Sequence, residues 1–325
     1  MTNNTNQPVI VAARRTPVGR FFGGLSRVPA PQLGAFAIEA VLSDSGIDAS
    51  SVDECMMGCV LQAGLGQNPA RQAALKGGLP DTISAVTINK VCGSGLQSVM
   101  QAAQSIKAGD NNIVVAGGME NMSSSPHLAN VRPGIKFGEG TLIDHMQHDG
   151  LTCPFEGWGM GCAAEWTAGE YEISRDEQDE LAANSHARAA SATSDGWYKE
   201  EIIPLEARQI KQREDVITDE GVRADSTTES LGKLRPAFAK EGTVTAGNAS
   251  QISDGGAAVL VMSKESAEQA GATVMATIVD YNTFGVEPKK IFTAPGLGIE
   301  QLLKRNNLTV HDIDVFEINE AFAVQ

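Results

Sequence analysis

The residues around Cys92 are typical of a reactive cysteine. A β-branched run at 82–91 ends in a tight turn, Cys-Gly-Ser-Gly at 92–95, and apolar residues then recur at helical spacing until Gly109. A side chain between a strand and a helix N-terminus lies near backbone N–H groups and the positive end of the helix dipole, which stabilise a thiolate. The pattern therefore predicts a sulfur nucleophile that attacks a carbonyl carbon, with the glycines leaving room for the substrate.

A second interpretation of Cys92 stays open at this level. A free cysteine is most often a small buried apolar side chain, and the local residues leave the two interpretations equal. The other cysteines are Cys55, Cys59, Cys153 and Cys162. An odd count spread thinly along a long chain is not a disulfide framework, so we expect a reducing, cytoplasmic environment.

The elements before and after Cys92 alternate between strand and helix. Strands are predicted at 8–13, 55–61, 82–91 and 113–117, with helices at 32–42, at 69–76 and from Leu96 to Gly109. Apolar strands separated by helices predict an α/β protein whose parallel sheet is covered on both faces.

The second half of the chain is less regular. Residues 118–170 are loop-rich, and Ser174 followed by Glu177 predicts a capping box that opens a helix. Further elements are a strand at 257–262, a helix at 263–270, a strand at 273–280, a helix at 298–305 and a strand at 312–318. The pattern is that of two α/β units that flank a looser insertion.

Composition excludes several classes of protein. The 325 residues are 42% hydrophobic, which is enough for a sizeable core, and the net charge is −15. An acidic chain with no basic stripe argues against nucleic-acid partners. No apolar run reaches the length of a membrane span, and the polar start, MTNNTNQP, has no signal-peptide pattern.

Motifs along the whole chain resemble those of the thiolases, the group of acetyl-CoA acetyltransferases and 3-ketoacyl-CoA thiolases. They occur in the order of the family: RTPVG at 15–19, GLGQNPARQAAL at 64–75, VCGSGLQSV at 91–99, VAGGMENMS at 115–123, SRDEQD at 174–179, KLRPAF at 233–238, GTVTAGNAS at 242–250, DGGAAVL at 254–260 and NEAFA at 319–323. Their joint occurrence is highly specific.

The resemblance implies the α/β thiolase fold. Two βαβαβαββ halves would stack in five αβαβα layers, with a loop domain inserted in the first half. The first half would comprise 1–120 plus 248–270, the CoA-binding loop domain 121–247, and the start of the second half 271–325. The family also implies a homodimer or homotetramer.

The resemblance also implies a set of site residues. Cys92 would be the acylated cysteine, and Asn319 would hold a water that stabilises the oxyanion. Ser250 would bind the pantetheine arm of CoA and Arg223 would lie near its nucleotide, in a segment, 208–240, with seven basic and six acidic side chains. The remaining CoA-binding residues would be Met160, Phe238, Ala246, Ala321 and Phe322.

Each of these roles has a structural alternative. Asn319 and Ser250 are also residue types that cap helices, and Arg223 also fits a solvated surface of mixed charge. His145 and His148 could share a helix face and bind a metal, but no third cluster accompanies them. We therefore expect no metal and no cofactor, with coenzyme A esters as substrates.

The implied activity is acyl-CoA:acetyl-CoA C-acyltransfer through a Cys92 acyl-enzyme, which forms or cleaves a 3-oxoacyl-CoA, most directly acetoacetyl-CoA. One alternative is a 3-ketoacyl-CoA thiolase of broader chain length. Another is a non-catalytic protein or fragment that binds CoA esters. A decarboxylating condensing enzyme of related fold is disfavoured by the long loop domain and the Asn-Glu-Ala-Phe motif.

Two features depart from the family. The family's Gly-His-Pro and Cys-x-Gly-x-Gly motifs, which follow Asn-Glu-Ala-Phe-Ala, do not occur in these 325 residues. This absence predicts a C-terminally truncated chain with an incomplete second half, impaired in condensation on its own. In addition, Gly159 occupies a position where acetoacetyl-type thiolases commonly carry a histidine, which puts a short-chain preference in doubt.

Overall fold

The structure is a computed structural model that describes residues 6–325. The strands are β1 (Pro8–Arg15), β2 (Gly19–Arg20), β3 (Glu54–Gly58), β4 (Ser84–Ile88), β5 (Ile113–Asn121), β6 (His127–Leu128), β7 (Ile143–Asp144), β8 (Ser253–Ser263) and β9 (Ala276–Thr277). The α-helices are α1 (Ala30–Ser45), α2 (Pro69–Lys76), α3 (Ser94–Ala108), α4 (Met160–Glu170), α5 (Arg175–Ser194), α6 (Ala207–Ile210), α7 (Thr228–Gly232), α8 (Lys264–Gln269) and α9 (Ala294–Arg305).

One mixed sheet organises the first part of the chain. Its strand order is β4-β3-β5-β8-β1-β9, with β2 paired to β8. Strands β3, β4 and β5 are parallel, whereas β8 is antiparallel to both β5 and β1. The prediction of a parallel sheet is therefore confirmed for the three strands nearest Cys92 and wrong for β1 and β8.

Helix α1 shows why the sheet is covered. Leu33, Ala37 and Val41 recur every four residues, so they lie on one face of the helix, and all three are fully buried. Ala37 and Val41 pack in the same cluster as Leu260 and Met262 of β8. Burial of this apolar face against the sheet is the main source of stability for the helix.

The C-terminal strands predicted from the sequence were largely wrong. Only Ala276–Thr277 of the predicted strand 273–280 is a strand, and 312–318 contains none. Val279 and Val315 are 70% and 78% exposed. A β-branched run forms a strand only where a neighbouring strand accepts its hydrogen bonds, and among residues 6–325 no strand pairs with 312–318.

The described chain divides into two compact units. Unit 1 comprises the residues up to Gly150, Gly196–Gly221 and Ile252–Val279. Unit 2 comprises Leu151–Asp195, Val222–Gln251 and Asp280–Gln325. The boundaries predicted from the resemblance, 1–120 plus 248–270, 121–247 and 271–325, stay a prediction.

Two local features of the described chain bear on the sequence analysis. The predicted capping box is present, since the Glu177 N–H donates to Ser174 Oγ at 3.3 Å and the Ser174 N–H donates to the Glu177 carboxylate at 2.8 Å. Within residues 6–325, no helix combines the length and apolar character that crossing a bilayer requires.

Candidate active site

Cys92 lies in a strained turn between β4 and α3. Val91 has φ of 49°, a left-handed conformation that is unusual for a β-branched residue. Its N–H is held by the Asn89 side chain at 3.0 Å. Strain of this kind persists only where surrounding contacts impose it, and it is frequent at functional sites. The turn leaves Cys92 exposed.

Ser94, the first residue of α3, closes the turn. Its Oγ accepts the Lys90 N–H at 2.8 Å and donates to the Val91 carbonyl at 2.6 Å. The Gly93 N–H also donates to the Lys90 carbonyl at 3.1 Å. These bonds satisfy backbone groups on both sides of Cys92, so they fix the backbone from which its side chain projects.

Small residues allow α3 to lie directly on the sheet. A Cβ at Gly58 would be 2.6 Å from the Ser94 carbonyl carbon, and one at Gly118 would be 3.3 Å from Gly95 Cα. Ser98 Oγ, one turn into the helix, lies 2.8 Å from the Gly117 carbonyl and donates to it. The helix N-terminus, and with it the Cys92 turn, thus packs on the end of β3 and on Gly117 and Gly118 of β5.

The electrostatics of Cys92 differ from the sequence-based prediction. Desolvation by the surrounding protein raises the pKa of its thiol, although the residue is exposed by surface area. The backbone N–H of Cys92 lowers that pKa, and the negative charge of Glu120 raises it. The net direction is therefore opposite to the lowered pKa that the sequence predicts, and desolvation is its largest cause.

Glu120 is the site residue that the sequence analysis missed. It is the next-to-last residue of β5, and its carboxylate accepts the N–H groups of Val60 at 2.8 Å and Leu61 at 3.0 Å. The Cys59 thiol lies 3.7 Å from the same carboxylate. An ionisable residue in the strand IVVAGGMEN was the signal that could have revealed it.

Two other cysteines are poorly suited to nucleophilic attack. Cys55 is fully buried, and this burial raises the pKa of its thiol to about 12. Cys59 is also buried, and burial together with Glu120 raises the pKa of its thiol strongly. Since the thiolate is the attacking species, the exposed Cys92 is the better nucleophile of the three.

In unit 2 the predicted CoA-binding motifs lie side by side. The Ser250 N–H donates to the Ala321 carbonyl at 3.1 Å, and the Ala323 N–H donates to the Asn248 carbonyl at 2.8 Å. Ala249 and Phe322 form an isolated antiparallel bridge between the two segments. The structure thus brings together Gly-Asn-Ala-Ser and Asn-Glu-Ala-Phe-Ala, whose paired residues Ala249 and Phe322 are 73 positions apart.

Three aromatic rings pack against this pair of segments. The Phe322 ring lies 5.3 Å from Phe292 and 6.1 Å from Phe238, both in edge-to-face geometry. Phe238 covers Gly161 so closely that a Cβ there would be 2.2 Å from the ring. Met160, which precedes Gly161, is the first residue of α4, and its N–H donates to the Leu151 carbonyl at 2.8 Å.

A buried polar network supports the segment that carries Ser250. Asn248 is 3% exposed, and its amide donates to Asp179 at 2.9 Å and to the Thr243 carbonyl at 3.1 Å. Its side-chain oxygen accepts the Thr245 N–H at 2.7 Å. Asp179 is paired with Arg175 at 2.7 Å. This network, to which no sequence pattern points, fixes the loop while Ser250 stays exposed.

The other predicted site residues are placed as follows. Ala246 and Asn319 are exposed, and no helix or strand contains Asn319, so its interpretation as a helix cap was wrong.

Arg223 is exposed on a turn of unit 2, where its N–H donates to His186 Nδ1 at 3.3 Å. Burial lowers the pKa of His186, and the Arg223 charge lowers it further.

His145 and His148 have protein partners. His145 is 3% exposed, with Nδ1 at 3.1 Å from Ser125 Oγ and Nε2 at 3.2 Å from Asp149. His148 Nδ1 lies 2.6 Å from the same aspartate. Across residues 6–325 the structure contains no group of three or more side chains suited to hold a metal.

Two family models account for nearly all of the chain. The model described as "Thiolase, N-terminal domain" matches residues 8–265, and "Thiolase, C-terminal domain" matches residues 272–325. The chain belongs to the thiolase family. The resemblance found in the sequence is thereby confirmed at the level of the family.

Named relatives of this thiolase agree with the match. Proteins named "Probable acetyl-CoA acyltransferase" from two strains of Staphylococcus aureus, COL and NCTC 8325, are 50% identical over 319 residues, covering 98% of this chain and 81% of each relative. The crystal structure of the Bacillus anthracis acetyl-CoA acetyltransferase superposes with a TM-score of 0.94 at 39% identity, covering 99% of this chain and 82% of the other.

These comparisons confirm the predicted thiolase fold. They do not bear out the expectations of a truncated chain and an incomplete second half. They do not support the expectation of an impaired enzyme either. The relatives are enzymes by name, and this chain is an acyltransferase of the thiolase family.

Proposed function

We propose that this thiolase forms or cleaves a 3-oxoacyl-CoA, most directly acetoacetyl-CoA, through an acyl-enzyme at Cys92. The observation that carries the proposal is the Cys92 turn, which is held at both ends and leaves the sulfur exposed. Cys55 and Cys59 are buried, and their thiols have raised pKa values. The sequence of this turn and the start of α3, VCGSGLQSV, resembles the family's acylation site.

The proposed first step is acyl transfer to sulfur. The Cys92 thiol gives up its proton, its Sγ forms a bond with the carbonyl carbon of acetyl-CoA, and the bond from that carbon to the CoA sulfur breaks. CoA leaves with a proton. Because protein surroundings raise the pKa of the Cys92 thiol, acylation should accelerate as pH rises through that pKa.

The proposed second step forms a carbon–carbon bond. An α-proton leaves a second acetyl-CoA, its α-carbon attacks the acyl carbon, and Cys92 is released as acetoacetyl-CoA forms. Asn319 is proposed to stabilise the oxyanion through a water, and its exposure makes it accessible to substrate. The displaced Cys92 thiolate takes up a proton, which balances the α-proton lost, so acylation and condensation can be assayed separately.

We propose that unit 2 binds coenzyme A. Ser250 would bind the pantetheine arm, beside Met160, Phe238, Ala246, Ala321 and Phe322. Supporting this, Ser250 is exposed while its backbone is fixed by Ala321, and Phe238 presents a ring that is 42% exposed. Arg223 would contact the nucleotide phosphates, because it is an exposed cation on a turn held by α5.

A broader chain-length specificity is the second candidate. Gly159 precedes α4 with extended backbone angles and places no side chain beside Met160. A histidine at this position would occupy space and offer a polar contact, whereas glycine leaves room for a longer acyl chain.

The sequence, the five free cysteines and the family further lead us to propose a cytoplasmic homodimer or homotetramer that acts in fatty acid metabolism without a cofactor.

Thiolysis of 3-oxoacyl-CoA substrates of increasing length tests both candidates. The parent chain and Cys92→Ser would be compared with acetoacetyl-CoA and with six- and eight-carbon 3-oxoacyl-CoA. We expect turnover by the parent only, highest with acetoacetyl-CoA. Highest turnover with the longer substrates would support the second candidate, and turnover by Cys92→Ser would contradict both.

A further inference from the structure

Glu120 lies at the end of β5 next to the seat of the Cys92 turn. Side chains two residues apart on a strand share a face, so Glu120 is on the same face as Gly118. Gly118 packs on Gly95, three residues after Cys92. Glu120 therefore lies on the face of the sheet that carries the N-terminus of α3, two residues beyond Gly118, where the helix touches the strand.

The contacts of Glu120 fit an ionised carboxylate. The N–H groups of Val60 and Leu61 and the thiol of Cys59 all donate to it, at 2.8, 3.0 and 3.7 Å. All three come from the segment that leaves β3. Hydrogen bonds from N–H groups to a charged acceptor are stronger than neutral ones, so this carboxylate ties the end of β3 to the end of β5.

The charged and titratable groups near Glu120 come from several elements. Asp254 of β8, whose partner in the sheet is Asn121, is close enough for its charge to act on Glu120. The pKa of Glu120 is raised above its ordinary value, mainly by burial and in addition by Asp254, although its hydrogen-bond donors oppose the rise. On the Cys92 turn itself, Lys90 Nζ is bound to Gln97 at 2.9 Å.

We propose that Glu120 is a positioning residue for Cys92, which fixes the strand ends beneath the turn and places a negative charge on the face of the sheet that carries it. The role rests on the proposed acylation of Cys92. It would restrict attack by the sulfur to the moment when substrate and a base are both present. Consistent with this geometry, the charge of Glu120 raises the pKa of the Cys92 thiol.

Two variants separate the charge of Glu120 from its shape. Glu120→Gln removes the charge but keeps an oxygen that can accept the N–H of Val60 or Leu61. Glu120→Asp keeps the charge on a side chain that is shorter by one methylene group, so it strains these bonds. The pair therefore tests whether the effect on Cys92 is electrostatic.

The measurement is the pH dependence of Cys92 alkylation by iodoacetamide. Trypsin releases residues 91–107 as one peptide with a single cysteine, so mass spectrometry reports on Cys92 alone. We expect Glu120→Gln to react about threefold faster or more than the parent at pH 7, because an unfavourable charge has been removed. Glu120→Asp should restore the parent's pH profile, even if it unfolds at a lower temperature.

Three results would overturn the proposal. One is a Glu120→Gln profile that superimposes on that of the parent. Another is an equal acceleration in Glu120→Asp, which would assign the effect to the hydrogen bonds. If Glu120→Gln does not fold, the parent is compared with a synthetic peptide 91–107. Cys92 in the protein should then need a higher pH to react, and an equal or lower pH would contradict the proposal.

These outcomes are independent of the proposed function. Alkylation requires no acyl-CoA, so the profile reports on Glu120 even if the enzyme is inactive. Absence of Cys92 acetylation in the parent, together with the predicted shift in Glu120→Gln, would reject the acyl-enzyme and keep the electrostatic coupling. Acetylation of Cys92 in the parent without the predicted shift in Glu120→Gln would keep the acyl-enzyme and reject the electrostatic coupling.

Discussion

Gly58→Ala should displace the Cys92 turn from the sheet. The added Cβ would lie 2.6 Å from the Ser94 carbonyl carbon and 2.7 Å from the Gly95 nitrogen, where ordinary contact begins at 3.4 Å. Both neighbours are backbone atoms at the start of α3, so no side chain can rotate away. To relieve the contact, the helix end must move by about 0.8 Å, carrying Cys92 with it.

The expected consequences are a loss of stability and a larger loss of activity. Overpacking of this kind costs about 1–3 kcal/mol of the free energy of unfolding. A displacement approaching 1 Å at a reacting group can slow its reaction by about 10²-fold. Urea unfolding measures the first effect, and the rate of Cys92 acetylation by acetyl-CoA measures the second.

Two matched substitutions control for the added methyl group. Gly169 lies exposed in α4 with no atom within 4 Å of its Cβ position, so Gly169→Ala should be neutral or stabilising by up to about 1 kcal/mol. Gly95→Ala adds its methyl at 3.7 Å from the Gly117 carbonyl, an ordinary contact within the Cys92 region. Acylation of Gly58→Ala at the parent rate, or equal destabilisation of Gly95→Ala, would refute a displacement of the Cys92 turn by overpacking.

Three further substitutions test the CoA site, a helix cap and an ion pair. Arg223→Ala should weaken CoA binding, more so at low salt because the contact is ionic, and an unchanged Kd at low ionic strength would count against it. Ser174→Ala should cost about 1 kcal/mol of unfolding free energy at pH 7. Hydrogen bonds from Ser174 lower the pKa of Glu177 in the folded protein, so the stability lost in Ser174→Ala should become smaller as pH falls through that pKa. A loss of stability that does not change with pH would contradict this prediction. Arg15→Ala leaves the half-buried Asp219 without its partner at 2.7 Å and should cost about 1–3 kcal/mol in urea unfolding, whereas a cost near zero would show that the pair is not stabilising.

Local signals made the elements around Cys92 predictable. The glycine-rich turn, the apolar spacing of α3 and its end at Gly109 all lie within twenty residues of sequence. The capping box at Ser174 is equally local, since its two partners are three residues apart. In such segments, propensity, capping and packing favour the same structure.

Strand pairing could not be predicted in this way. The central position of β8, antiparallel between β5 and β1, joins residues more than 100 positions apart. The β-branched run at 312–318 has the composition of a strand, yet no strand among residues 6–325 pairs with it. Sequence periodicity describes one segment at a time, while a strand depends on its neighbour.

The supporting residues of the site were missed for the same reason. Glu120 acts on a segment 60 positions earlier, and Asn248 binds Asp179 across 69 positions. Neither interaction has a pattern in the intervening sequence. The direction of the Cys92 pKa depends first on desolvation by the folded protein, to which the charge of Glu120 adds, and neither is visible in the residues around Cys92.

Mapping of the acetylated residue tests the central claim most directly. The protein is incubated with acetyl-CoA, quenched, digested with trypsin and analysed by mass spectrometry, beside Cys92→Ser. We predict one acetyl group per chain on the peptide 91–107, release of an equal amount of CoA, and neither in Cys92→Ser. Acetylation confined to Cys55, Cys59, Cys153 or Cys162, or unchanged labelling of Cys92→Ser, would contradict the assignment of Cys92 as the nucleophile.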